Sequence, residues 1–319
     1  MKKTLYSFFF IISLIGIVKL FSFSSNLNAD YQSFINHFNS KYSIFAIPKP
    51  TSQIDFCGER VPLENPDIWE RYDKELLKNT YWQSNTLLLQ KRAHKYFPII
   101  EPILAENKVP DDFKYLALIE SGLENVISPA GATGFWQIMK ETAKDFGMQV
   151  NSEIDERYHL EKSTIVACKY LTQAHKKFGS WTLAAAAYNM GPNGLQKQIN
   201  RQKASNYYDL LLNNETSRYV FRILAVKDII ENPKRYGFQL TEKDHYLHLP
   251  TYTVSVDTAV TNWADFAHEH EINYKILKRY NPWLRQNYLT NSKRETYRIS
   301  IPHKGYYTFQ SKNSTESIE

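Results

Sequence analysis

Cysteine is scarce: Cys57 and Cys168 are the only two in 319 residues. That excludes a disulfide-rich scaffold, and the absence of any CxxC or HExxH spacing leaves no metal motif. Two thiols permit one pairing, so they are either a disulfide, which an exported chain allows, or two buried free thiols. Glycine is sparse as well, at 11 residues, and forms no phosphate-cradling run. The pairs His245/His248 and His268/His270 read as surface residues, and no metal or other cofactor is implied. A large excess of one charge is also missing. The net charge of +6 falls to +3 if residues 1–29 are removed, because they hold Lys2, Lys3 and Lys19 and no acid. So mild a surplus gives little support to nucleic-acid binding and is compatible with an anionic substrate.

Only one stretch is strongly apolar. Residues 5–18 follow Lys2 and Lys3 and read as a signal peptide or a signal anchor, with a passable cleavage site at Leu27-Asn28-Ala29. The run is at the margin of the ~18 residues a spanning helix needs. The expectation is export to the cell envelope, periplasmic, with membrane association through the N-terminal segment if it is retained. The remainder has the means to fold: 43% hydrophobic and 23% charged residues suit a globular core. Aromatics reach 14%, with 22 Tyr, enough for both a core and a stacking surface.

The chain then divides. Residues 30–66, with Pro48, Pro50, Pro62 and Pro66, read as an extended wrap. Helical periodicity begins at residue 67 and predicts helices over 67–77, 87–97 and 99–107, the second ended by Pro98. After a central stretch at 111–139, helices are predicted over 164–178, 181–190 and 215–231. Gly179 ends the first of these and Ser180 caps the next. From residue 252 the pattern is strand, two helices, strand: 252–256, 259–269, 274–280 and 297–301. This reads as a small independent α+β module, followed by a polar tail at 304–319. The fold class is therefore mainly α with a small α+β module at the C-terminal end.

The central stretch carries the chemistry. Asp111 and Asp112 are N-cap candidates for a helix over 113–121, which Gly122 is placed to stop in the left-handed conformation. Phe113, Leu116, Ala117 and Glu120 share one face, so a carboxylate lies on an apolar stripe. It also lies in the last turn, where the helix dipole disfavours negative charge. Burial and dipole both push Glu120 upward, toward the protonated form a general acid needs. The plainer alternative is an edge-exposed Glu or one paired with a buried cation. Downstream, Gly131 and Gly134 let a loop pass close to a neighbour. Phe135-Trp136-Gln137-Ile138-Met139 opens a further helix, and Tyr188-Asn189 closes one before Gly191-Pro192, offering a hydroxyl and an amide to a cleft.

Three motifs in order, Glu120-Ser121, Gly131-x-x-Gly134-x-Trp136-Gln137-Ile138-Met139 and Ala187-Tyr188-Asn189-x-Gly191, together resemble the lysozyme-like lytic transglycosylases of the SLT type. The late segment Glu215-Thr216-x-Arg218-Tyr219-Val220 extends the likeness over residues 109–238. The resemblance implies a lysozyme-like helical catalytic domain at 109–240, preceded by a lead-in at 30–108. Glu120 matches the catalytic acid. Ser121, Ser128, Gln137, Met139, Tyr188, Asn189, Glu215 and Tyr219 match residues of the sugar cleft. Residues 250–303 resemble a LysM domain through Tyr252-Thr253-Val254, Asn281-Pro282-Trp283 and Ile299-x-Ile301-Pro302. The usual Gly-Asp-Thr-Leu is replaced by Val256-Asp257-Thr258-Ala259, so the module either binds glycan or only packs. The implied partner is the peptidoglycan glycan strand, and no nucleic acid. The implied reaction uses one Glu to cleave the MurNAc–GlcNAc bond, leaving 1,6-anhydro ends. A water-using lysozyme and a non-catalytic peptidoglycan-binding protein remain as alternatives.

Overall fold

Capping residues set most of the element boundaries. The computed structural model describes residues 29, 31–37, 39–40 and 44–307. The expected signal segment and most of the polar tail lie outside the described residues. The chain divides after Pro48 into two compact units. In the first, residues 31–37 are helical where extended chain was expected. The second, from Lys49, holds everything below.

It opens with a tight hairpin, β1 (Asp55–Phe56) and β2 (Glu59–Arg60). Helix α1 (Pro66–Tyr81) starts with Pro66 in its first turn and Asn65 accepting from the Asp67 N–H. Helix α2 (Gln83–Glu106) runs through both Pro98 and Pro102, so the two helices predicted over 87–107 are one. Each proline removes a backbone donor. Both lie on the exposed side, where water can serve the freed carbonyls. Buried Phe97, Ile100 and Leu104 meanwhile hold the opposite face in the core.

Helix α3 (Phe113–Ser121) stops as expected at Gly122, whose φ is 62°. Asp112 occupies the N-cap position without making a capping bond. Its carboxylate instead accepts from the Cys57 N–H at 2.7 Å and pairs with Lys227 at 2.7 Å. Residues 135–139 form turns instead of a helix, because Thr133 pairs with Ile138 and Gln137 has a φ of 47°. Helix α4 (Lys140–Asp145) begins after them.

Helices α5 (Leu160–Phe178) and α6 (Trp181–Met190) follow, the second capped by Ser180, which accepts from the Leu183 N–H. Ala184 to Ala187 are fully buried and let α6 lie close to α5 and to α8 (Asn214–Glu231). Between them α7 (Pro192–Gln202), unforeseen in the sequence, takes Pro192 into its first turn. Helix α8 is the hub of the helical region. Thr216, Tyr219, Val220, Phe221, Ile223 and Leu224 are all buried, and it packs against α1, α3 and α6.

The C-terminal module pairs β3 (Thr251–Val256) with β4 (Tyr297–Pro302) antiparallel, Val254 opposite Ile299. Helices α9 (Trp263–Glu269) and α10 (Tyr274–Tyr280) lie between them in sequence. The module is not free-standing. Its core of Trp263, Leu277, Trp283, Leu284, Ile299 and Ile301 also takes in Ile154 and Tyr158. Backbone bonds join the two regions: Asp155 N–H donates to Trp283 O at 2.9 Å and Arg285 N–H to Glu153 O at 2.7 Å.

No disulfide forms; both cysteines are free. Cys57 sits in the β1–β2 turn with a φ of 56°, whereas Cys168 is buried in α5, beside Tyr188. Burial pushes the Cys168 thiol up to about 12, and burial with the Asp112 charge also raises the Cys57 thiol, so neither favours the reactive thiolate.

A buried ion pair holds the Gly131–Gly134 loop. Arg157 binds Asp155 through two nitrogens, at 2.9 and 2.7 Å, and both residues are buried. Its remaining nitrogen donates to Gly131 O at 3.1 Å and Ile138 O at 3.3 Å. A Cβ at Gly134 would stand 2.1 Å from Arg157 O, so only glycine fits there. Asp155→Ala is expected to cost about 3–5 kcal/mol, since it strands a buried guanidinium. Urea unfolding of the two chains side by side measures this.

Candidate active site

The site is built where the last turn of α3 meets the first half of α8 and the end of α6. Glu120 as a residue is half-buried, but its carboxyl is enclosed. Tyr219 of α8, wholly buried, donates its hydroxyl to Glu120 Oε1. One turn further on, Arg222 donates to Ile119 O at 2.7 Å. Arg92 reaches Gly122 O at 3.2 Å from the other side. These guanidinium groups serve the open carbonyls of the α3 C-terminus, which offsets the dipole effect that the sequence suggested.

Glu120 is held above the ordinary range of a glutamic acid, and burial is the main cause. The Tyr219 hydrogen bond and the Arg222 charge act against it, and the Glu215 charge acts with it. Tyr219 and Tyr188 are themselves pushed far up by burial and by the neighbouring Glu120, so both stay protonated as donors.

The other candidate residues fall into three groups. Asn189, Glu215 and Thr216 form a relay: the Asn189 amide donates to Glu215 Oε1 at 2.8 Å, and Thr216 donates to Asn189 Oδ1 at 2.6 Å. Asn189 thereby bridges the end of α6 to the start of α8, with the exposed Glu215 at the rim. Tyr188 donates to Trp136 O at 2.7 Å and meets the Tyr170 ring edge-on, tying the loop of residues 128–139 to α6. Trp136 is fully buried and donates to Thr164 at 2.8 Å.

The loop residues are placed mainly by their own turns. Ser128 accepts from the Ala132 N–H at 3.0 Å. Gln137 donates to Gly134 O at 2.8 Å and Val126 O at 3.1 Å through its amide nitrogen. Met139 is exposed and Ser121 is not. The Ser121 hydroxyl is engaged with Phe135 O at 2.8 Å and Ala117 O at 3.2 Å, so it clamps the loop onto α3.

At the C-terminal end of α3 opens a cavity of about 640 Å³ lined by Trp82, Ile119, Gly122, Glu215, Arg218 and Arg222, with Glu120 itself outside its lining. Within it Arg218 grips the buried Glu75 of α1 through two nitrogens, at 2.6 and 3.0 Å. Arg222, the Glu75–Arg218 pair and the Asp155–Arg157 pair were all missed in the sequence. Glu75 and Arg218 lie 143 positions apart, and Asp155 and Arg157, though only two apart, are an ordinary charged pair, so neither pair gives a local signal. Among the described residues no group of His, Cys, Asp or Glu could hold a metal ion.

One enclosed carboxyl, a buried tyrosine donating to it and a polar relay thus stand together in the helical domain. Comparison with known proteins matches two stretches of the chain to domain families. Residues 97–211 match the Transglycosylase SLT domain, and residues 252–305 match the Soluble lytic transglycosylase C-terminal LysM-like domain. The chain is 31% identical over 235 residues to the membrane-bound lytic murein transglycosylase D of Escherichia coli strain K12, which covers 71% of this chain and 50% of that protein. It thus spans about half the length of the curated relatives it matches. Two solved structures also align in part, both at 24% identity and covering 26% of their own chains. One is an inactive mutant of the lytic transglycosylase Slt of Pseudomonas aeruginosa, over 47% of this chain at a TM-score of 0.36. The other is the 70 kDa soluble lytic transglycosylase of Escherichia coli, over 46% at 0.37. The chain therefore carries an SLT domain followed by a LysM-like domain.

The raised Glu120 has a stability signature. A folded pKa above the unfolded value of about 4.3 means Glu120 favours the fold fully below that pH, and the benefit is lost as pH rises through the folded value. Glu120→Gln has no such loss. The stability of Glu120→Gln relative to wild type should therefore increase between about pH 4 and pH 7. Urea midpoints taken across that range measure it, and a flat difference would mean that the carboxyl is not raised.

Proposed function

We propose that this chain is a peptidoglycan lytic transglycosylase in which Glu120 alone carries both proton transfers. The reading is supported above all by the enclosed, raised carboxyl of Glu120 under the Tyr219 hydroxyl. Glycosidases in general place two carboxyl groups at the scissile bond. The second acid near this one, Glu215, is hydrogen-bonded to Asn189 at the exposed rim and acts through its charge.

In this reading protonated Glu120 gives its proton to the glycosidic oxygen between MurNAc and GlcNAc. The C1–O bond breaks, and the GlcNAc-side hydroxyl leaves neutral. Glu120, now a carboxylate stabilised by Tyr219 and Arg222, takes the proton of the muramic 6-hydroxyl. That oxygen closes onto C1 and forms the 1,6-anhydro ring, so no water is consumed. The substrate's own N-acetyl group steadies the electron-poor C1. Tyr188 and Asn189 hold the walls, and Gln137 presents an amide to the sugar. The raised carboxyl favours the protonated form the first step needs, because burial outweighs the two groups that stabilise its charge.

The relative bears "membrane-bound" in its name, and residues 1–29 supply the same expectation of an envelope location here. No helix of the described residues is long and apolar enough to cross a membrane. The LysM-like module is read as glycan-facing support for the SLT domain.

Mass spectrometry of fragments released from purified sacculi tests the reaction. Anhydro-ended fragments are expected from wild type, with Glu120→Gln slower by about 10²–10⁴-fold. Hydrated reducing ends would make the enzyme a lysozyme, and wall binding without release would make it a binding protein. A second test uses two neighbours with opposite influence. Tyr219→Phe removes a hydrogen bond that lowers the Glu120 pKa, so the alkaline limb of the rate profile should move up. Glu215→Gln removes a charge that raises it, so that limb should move down. Shifts in the same direction would remove Glu120 from the role of acid.

A further inference from the structure

A second cavity, of about 140 Å³, lies between the helical domain and the C-terminal module and takes no part in the chemistry above. Its walls come from α2, the start of α5, α10 and β4. Two cations line it from the two sides. Lys95 of α2 is half-buried, and Arg279 of α10 is exposed at the rim. Among the described residues neither has an ion-pair partner. Desolvation and the Arg279 charge hold Lys95 below its ordinary value. Its nearest favourable contact is the Tyr96 ring, 4.9 Å away.

The acid in the same wall is already committed. Glu161 lies 3.1 Å from the His159 ring; burial pushes its carboxyl up, but the His159 hydrogen bond and charge, a backbone hydrogen bond and His248 together hold it below its usual range. His248 is held down by burial and by Lys95, so it adds no third charge at neutral pH. Two like charges brought together across a domain boundary repel, and partial burial strengthens the repulsion. An anion seated between them would convert that cost into two charge-assisted contacts.

We propose that the cavity between Lys95 and Arg279 is a binding site for a carboxylate anion of the kind that ends a short peptide. The volume admits a carboxylate with a small side group and excludes a disaccharide. Tyr96, Tyr158 and Trp283 in its walls give that side group an apolar bed. That bed favours an anion carrying a side group over a bare inorganic phosphate. Because the walls belong to both domains, the bound anion bridges them. The site is independent of the reaction assigned to Glu120.

The test is calorimetric titration of the full chain with N-acetyl-alanyl-alanine, with its C-terminal amide and with inorganic phosphate. The free acid should bind saturably, and the amide should not. Lys95→Met and Arg279→Gln should each weaken binding roughly tenfold or more. Thermal melting of the unliganded variants controls for folding. Lys95→Met should melt no lower than wild type, because it removes a repelled and desolvated charge. Arg279→Gln, at an exposed position, keeps the test alive should Lys95→Met fail to fold. No saturable binding of the acid, equal binding of acid and amide, or binding unchanged in both variants would overturn the site. Tighter binding of inorganic phosphate would overturn its assignment to a carboxylate.

Discussion

The contact between Tyr219 and Glu120 sets the terms for the rest of the helical domain. A carboxyl group enclosed away from water must be either neutral or strongly partnered. Here it has one buried hydroxyl donor and a guanidinium one turn away, which favour the anion but do not outweigh the burial that raises the carboxyl above its ordinary range. That balance needs α3 and α8 fixed against one another within hydrogen-bond tolerance. Two further interactions supply the rigidity. Arg222 fastens the α3 end to α8, and the buried Glu75 fastens α8 to α1 through Arg218. The alanine face of α6 lets Tyr188 and Asn189 approach from the third side.

The loop over the site is anchored at a second centre. Arg157 joins Asp155, Gly131 O and Ile138 O, and its own carbonyl lies where any side chain at Gly134 would have to go. Asp155 also donates its N–H to Trp283 O, so the loop and the C-terminal module hang from one short segment. The module is thus part of the scaffold of the cleft, and its core takes in residues of the SLT domain.

Local signals in the sequence were reliable where the chain decides its own conformation. Gly122 and Gly179 end their helices with positive φ, and Ser180 caps α6. The strands at 252–256 and 297–301 pair antiparallel. Glu120, Tyr219, Asn189 and Glu215 were all named from motifs, and the structure brings them to one place. Legibility failed where distant residues overrule local preference. Pro98 and Pro102 break helices in isolation, yet buried Phe97, Ile100 and Leu104 carry α2 through both. Phe135 to Met139 has helical composition, but pairing of Thr133 with Ile138 and the burial of Trp136 hold it in turns. Asp112 looks like a cap and is instead taken by Cys57 and Lys227.

By itself the sequence determined the kind of chemistry on offer and most element boundaries, because caps, breakers and apolar periodicity act within a few residues. It also determined that one glutamate would stand at the end of a short apolar helix. Only the tertiary structure decided what that glutamate is. The donor that meets it lies 99 positions away, and the charges that tune it come from α8. Protonation of a buried acid depends on solvent exclusion and on field, and both are properties of elements packed together in space.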